Sequence, residues 1–172
     1  MGAAVTWMPF LLHPEYPPEG LPREQLLARY GAGMTDRVRN FFASRGLPYN
    51  PNPDVVPNSL NAQRLTELAR DLGKHAELHD RLMDAYWSEA KDIGDLEVLR
   101  AEAAAVGLPA AEVEDVLGGD RFRDRIEAST REASGFGANA VPAFVLDRRL
   151  LVLGAQPHEV FEQAFRQLEE RT

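Results

Sequence analysis

The sequence predicts an α/β fold in which a long all-helical block interrupts a small strand-bearing unit. Three observations carry that prediction. A short β-prone apolar run, Val5 to Leu12, opens the chain. From about Arg23 to Ala133, apolar residues recur at helical spacing between glycine and proline breaks. The chain then closes on two four-residue apolar runs and an amphipathic helix.

Taken in order, Val5 to Leu12 reads as a strand that ends at His13-Pro14, with Trp7 in the core. Pro14 to Pro22 is rich in proline and glycine and reads as a loop. A helix follows from about Arg23, with Leu26, Leu27 and Tyr30 on one face, and Gly31 and Gly33 break it. Met34, Val38, Phe41 and Phe42 form the stripe of a second helix that Gly46 stops. Leu47 to Pro57 is proline- and asparagine-rich loop. Asn58 or Ser59 caps the next helix, since either side chain offers an oxygen to the unpaired first-turn N–H groups. Its stripe is Leu65, Leu68, Ala69 and Leu72, and Gly73 ends it. A helix over about Lys74 to Ala90 stacks Leu78, Leu82 and Tyr86. Asp95 caps a helix that Gly107 stops, Pro109 suits the first turn of a short one to Leu117, and Asp120 opens another with Phe122, Ile126 and Ala133. Ala143 to Leu146 and Leu150 to Leu153 read as a hairpin turning at Asp147-Arg148-Arg149, and Pro157 starts the final helix.

Composition narrows the function classes. The net charge of −8 argues against a nucleic-acid binder, which needs basic surface to displace counterions from phosphate, and against docking on anionic membranes. No apolar run approaches the roughly 20 residues of a membrane span. Met1 to Pro9 lacks the basic-then-apolar pattern of a secretory signal, and the chain has no cysteine. Both fit a cytoplasmic location, and the near-absence of lysine beside arginine fits a GC-rich bacterial gene. Without cysteine there is no disulfide, no thiolate metal site and no cysteine nucleophile in the chain.

Other side chains offer little chemistry. His75 and His79 share a helical face and could hold a metal, but Glu77 points elsewhere and no third ligand is apparent; a solvated pair is the plainer reading. Ser59, Ser88 and Ser134 lack a glycine-elbow context. Tyr86, Trp87, Phe122 and Phe136 could line a groove, though core packing is the commoner fate of such rings.

Five segments in register point further: Trp7 to Pro14 (WMPFLLHP), Pro57 to Leu65 (PNSLNAQRL), Asp92 to Asp95 (DIGD), Gly137 to Pro142 (GANAVP) and Gly154 to Pro157 (GAQP). In their order and spacing the chain resembles the DsbA-like thioredoxin superfamily, specifically the FrnE-type dithiol oxidoreductases. It is also similar to their relatives, the 2-hydroxychromene-2-carboxylate isomerases and kappa-class glutathione transferases. The resemblance implies a thioredoxin-like core of DsbA type, residues 1–57 and 136–172, carrying an all-helical insertion, residues 58–135. In the family a strand, a Cys-x-x-Cys turn and a helix precede the segment that Trp7 to Pro14 matches. This sequence has none of these and is expected to begin at the second core strand; a native start upstream is the favoured expectation, beside a sheet that closes across the gap or a second chain that fills it. The edges so exposed would leave backbone groups unpaired, at about 1–3 kcal/mol each when buried.

The functional expectations rest on the same resemblance. Val141-Pro142 matches the family's cis-proline, whose preceding residue offers its backbone to an extended substrate or to glutathione; unaided, an X-Pro bond is cis in only about 5–6% of cases. Asn58 matches a segment that lies near the ligand in the glutathione-using relatives. The expected lineage is thiol–disulfide oxidoreductase or isomerase, with no catalytic residue in this chain. A glutathione-dependent isomerase or transferase and a non-catalytic interaction module are the alternatives. No cofactor is expected, with glutathione as a candidate substrate. Expected partners are a peptide or small thiol at the proline loop, or a second copy through unpaired sheet edges.

Overall fold

A computed structural model describes residues 4–31 and 33–170, and the chain divides into two compact units. Residues 13–123 form one, and residues 1–12 with 124–172 the other. The sequence reading places residues 13–57 with the core and 124–135 with the insertion. In the larger unit, residues 13–57 are tied to the helical block by hydrogen bonds of Asn50, Asn52 and Asn58 and by the packing of Phe42 and Tyr49 on Trp87.

The larger unit is built on α3 (Leu60–Asp71). Around it pack α4 (His75–Trp87), α5 (Leu96–Ala105) and α6 (Ala110–Gly118). Their inward stripes meet in one cluster that includes Leu65, Leu68, Leu78, Leu82, Leu99, Val113 and Val116. The expected stops act as stops: Gly73 and Gly107 both hold positive φ. At the start of α5, Asp95 accepts the Glu97 N–H at 2.7 Å. α4 ends at Trp87, short of the expected Ala90. The N–H groups of Ser88 and Glu89 both return to the Asp84 carbonyl, and Ala90 itself takes a left-handed φ of 57°.

Before this block come α1 (Arg23–Tyr30) and α2 (Gly33–Ala43), and two short strands, β1 (Leu21–Pro22) and β2 (Val55–Val56), pair antiparallel where both segments read as loop. Arg23 organises that pairing by donating from Nε to the Asn52 carbonyl at 2.5 Å and from a terminal nitrogen to the Val55 carbonyl at 3.2 Å. Asn50 and Asn52 then latch onto the end of α4, donating to the carbonyls of Trp87 and Ala90. Gly20 lies where β1 meets β2, at φ 82°, and a Cβ there would stand 2.7 Å from the Val56 carbonyl oxygen. Gly20→Ala is therefore expected to lower stability by about 1–2 kcal/mol in urea unfolding; an unchanged midpoint would mean that the β1–β2 contact is dispensable.

The smaller unit contains α7 (Arg123–Gly135) from Asp124 onward, β3 (Ala143–Leu146), β4 (Leu150–Leu153) and α8 (His158–Glu169). β3 and β4 form an antiparallel hairpin with Ala143 opposite Leu153 and Leu146 opposite Leu150. Asp147 and Arg148, the first two residues of the three-residue connection, both adopt positive φ, 49° and 54°, and the Arg149 N–H closes the turn on the Leu146 carbonyl at 3.0 Å. α8 packs on β4, with Phe161 edge-on to Phe144 at 4.9 Å and Ala164 and Leu168 buried.

The expected strand at Val5 to Leu12 does not form. A strand needs a ladder, and no described strand lies beside this segment. Side chains of α7 hold it instead: Ser129 donates its hydroxyl to the Pro9 carbonyl at 2.7 Å, and the Leu11 N–H donates to Thr130 Oγ1 at 3.0 Å. Trp7, expected in the core, is 58% exposed, and Val5 and Met8 are more exposed still.

Candidate functional site

The backbone leaves α7 through a tight close. Gly137 takes φ 96°, its N–H donates to the Ser134 carbonyl, and the Ala138 N–H returns to the Ala133 carbonyl at 3.0 Å. Ala138 is buried, whereas Asn139, Ala140, Val141 and Pro142 are exposed. This loop delivers the chain to β3 with the Val141–Pro142 peptide bond cis. The Pro142 carbonyl accepts the Gly154 N–H at 2.8 Å, so the loop is fastened to the far end of β4. Gly154 is held in turn at φ 79°, and Gln156 donates to the Leu153 carbonyl at 2.7 Å. The GANAVP and GAQP segments thus form one structural element, the second clamping the first.

Val141 stands at the centre of this element. Its side chain is 53% exposed, and neither its N–H nor its carbonyl enters a hydrogen bond among the described residues. A donor and an acceptor left open on one residue are what an extended chain can pair with. From Phe136 to Leu146 the loop carries no ionisable group and no hydroxyl. Such a site can grip a backbone and shelter an apolar side chain; it has no group of its own to attack a bond or move a proton.

Asn58 lies in the larger unit, where its side chain is committed to the fold. Its Nδ2 donates to the Tyr16 carbonyl at 2.8 Å, and its Oδ1 accepts the Leu60 N–H at 2.9 Å. It is Asn58, not Ser59, that caps α3; Ser59 Oγ accepts from the Gln63 amide instead.

The histidine pair is stacked, His75 on His79, at 5.8 Å between rings. The Arg70 guanidinium lies 2.8 Å from His75 Nε2, a cation where a metal would have to approach. Burial lowers the His75 pKa first, and Arg70 and His79 lower it further. No cluster of three or more His, Cys, Asp or Glu side chains suited to a metal occurs among the described residues. The aromatic residues divide by unit. Tyr86 and Trp87 join Phe42 and Tyr49 in a ring cluster, Phe122 lies under Arg121 at 4.8 Å, and Phe136 lies under Arg148 at 5.8 Å.

No described helix is long and apolar enough to cross a membrane. The family model for the DSBA-like thioredoxin domain matches residues 1–166. The uncharacterized protein YwbO of Bacillus subtilis is 27% identical over 162 residues, spanning 93% of this chain and 80% of that protein. Among solved structures, the probable DsbA oxidoreductase of Streptomyces coelicolor superposes with a TM-score of 0.83 at 33% identity, covering 95% of this chain and 74% of that one. A Nitrosomonas europaea structure shares the fold at TM-score 0.65 and 17% identity, covering 89% and 79%.

Proposed function

The chain belongs to the DSBA-like thioredoxin domain family, and on that premise we propose that it serves the substrate-binding step of thiol–disulfide chemistry, in the FrnE-type oxidoreductase or isomerase lineage and in the cytoplasm. The ligand is an extended, cysteine-bearing peptide, or a small thiol such as glutathione, laid against Val141–Pro142. The observation that carries this reading is Val141 itself, an exposed residue on a loop fixed by Gly154, whose main-chain donor and acceptor enter no hydrogen bond among the described residues. Disulfide exchange requires a thiolate that attacks a disulfide sulfur. This chain has no cysteine, so exchange lies beyond its own residues. Asn58 stays a candidate ligand contact on the family resemblance alone, and its side chain holds the start of α3.

A non-catalytic module that self-associates is the second reading. It is favoured by the exposed apolar side chains of Val5 and Met8 and by Val145, exposed on the hairpin.

Amide chemical shifts measured during titration with a disulfide-free peptide, serine replacing its cysteine, test the proposal. Binding is expected to move Val141, Ala143 and Gly154 most, with reduced glutathione moving a subset of them. No movement at millimolar ligand, or movement confined to the helical unit, would sink it. Shifts that follow protein concentration but not peptide would move the assignment to self-association.

A further inference from the structure

We propose that the outer face of α2 is a docking surface for an acidic amphipathic helix of a partner protein. α2 has no buried residue, unlike the helices around α3. Phe42 anchors it, with ring contacts to Trp87 at 5.1 Å and to Tyr49 at 5.2 Å. The rest of its apolar stripe, Met34, Val38 and Phe41, faces outward or is only half-covered, and Phe41 is 45% exposed. Tyr30 and Leu47, just before and after the helix, are exposed as well. A helix with an apolar stripe and no covering neighbour is an incomplete interface.

Charge selects the occupant. Residues 23–45 carry five arginines against Glu24 and Asp36, a net +3 within a chain of −8. In the rest of the larger unit the arginines are mostly neutralised, as with Arg81, Arg100 and Arg121, each paired with carboxylates. Among the described residues, Arg39 alone on α2 has such a partner, Asp36 at 2.7 Å. Arg45 instead lies 4.0 Å over the Phe41 ring, beside the stripe. Arg37 stands one flank over and enters no ion pair among the described residues. An amphipathic helix whose Leu and Phe side chains enter the stripe, with Glu on both flanks, satisfies the exposed rings and the unpaired cations together. A basic amphipathic helix can also suit an anionic bilayer. The chain's remaining charge of −11 would be repelled from that surface, so a compact acidic helix is favoured over a membrane.

The probe is a fluorescein-labelled 14-residue helical peptide with Leu and Phe at i, i+4 and i+7 and six flanking Glu, assayed by fluorescence anisotropy. Its counterpart with Lys in place of Glu, and vesicles of one-third phosphatidylglycerol in phosphatidylcholine, serve as comparisons. The acidic peptide is expected to bind. Arg37→Glu with Arg45→Glu should weaken binding at least about tenfold, and Phe41→Ser about fivefold or more. Raising salt should weaken binding to the wild-type chain but hardly alter the residual binding of the double arginine variant. Unchanged thermal midpoints and Trp87 fluorescence establish that the variants are folded. Three results would overturn the proposal: equal binding of both peptides, binding to vesicles without binding of the acidic peptide, or a dimer in sedimentation that Phe41→Ser dissociates while the peptide does not bind.

Discussion

Replacing Arg64 with methionine is expected to lower the unfolding free energy by about 3 kcal/mol, the largest single effect foreseen in the helical unit. The side chain is 1% exposed, and none of its hydrogen-bond partners is a carboxylate. Nε donates to the Arg121 carbonyl at 2.8 Å and Nη1 to Asn61 Oδ1 at 2.9 Å. Nη2 donates to the carbonyls of Val116 and Gly119, the latter at 2.5 Å. These carbonyls lie around the C-terminal end of α6, where the last turn has no intrahelical donors and carries the negative end of the helix dipole. Oriented backbone dipoles thus compensate a buried cation. Burial is the chief force lowering the Arg64 pKa, with Arg123 adding to it and Asp120 opposing. Methionine keeps much of the volume, so the loss reports the stranded carbonyls more than a cavity. Arg64→Lys keeps the charge but cannot fan across three carbonyls, and should recover no more than about half of the loss. Urea unfolding measures both variants. A loss below about 1 kcal/mol for methionine would mean that water satisfies the end of α6 just as well.

That residue also shows what was legible in the sequence and what was not. Arg64 stands one turn before Leu68, in line with the buried stripe, which is a sign that its stem is inside. Nothing in the sequence says where its donors go, because Val116, Gly119 and Arg121 are more than fifty positions away. The same division holds throughout. The hairpin and its turn were legible because both strands and the connection lie within eleven contiguous residues. The helix stops at Gly73 and Gly107 were legible because positive φ favours glycine. At Ala90 the same conformation falls on an alanine, and the end of α4 was misplaced. Val5 to Leu12 has strand composition, but composition does not supply a ladder partner. The β1–β2 pair was missed because Arg23 and Gly20 make it, not a hydrophobic alternation. In the candidate site, the proline and its clamp were visible as motifs. The open backbone of Val141 is a property of three-dimensional hydrogen bonding and could only be seen in the fold.

Glu102→Gln is expected to cost about 2–3 kcal/mol at neutral pH and progressively less as the solution is acidified. The Glu102 side chain is 4% exposed and takes two cations: Arg81, which donates from Nε to Oε2, and Lys91, whose Nζ lies 2.6 Å from Oε1. Both cations also meet Glu89, Arg81 in a two-point contact at 2.7 Å on each arm and Lys91 at 2.7 Å. The network joins α4, the turn after it and α5, so it fixes the register of two core helices. Burial by itself would raise the Glu102 carboxyl, but the bonds from Arg81 and Lys91 outweigh it, and the pKa lies below its ordinary value. The Arg81 bond, with Lys91 behind it, holds Glu89 at about 2. Carboxylates depressed on folding contribute stability that is complete above their unfolded pKa of about 4.3 and is lost as pH falls through the folded values. The native chain should therefore weaken as pH falls from about 5 toward 2, in the range these two groups set. Glutamine cannot titrate, so the variant begins lower at pH 7 and falls less steeply below pH 5, and the two curves draw together. Urea midpoints at pH 7, 5, 4 and 3 resolve this. The cations keep Glu89, which limits the loss to less than that of stranding a fully buried charge. A gap between the two proteins that stayed constant across the series would assign Glu102 a packing role and remove its charge from the argument.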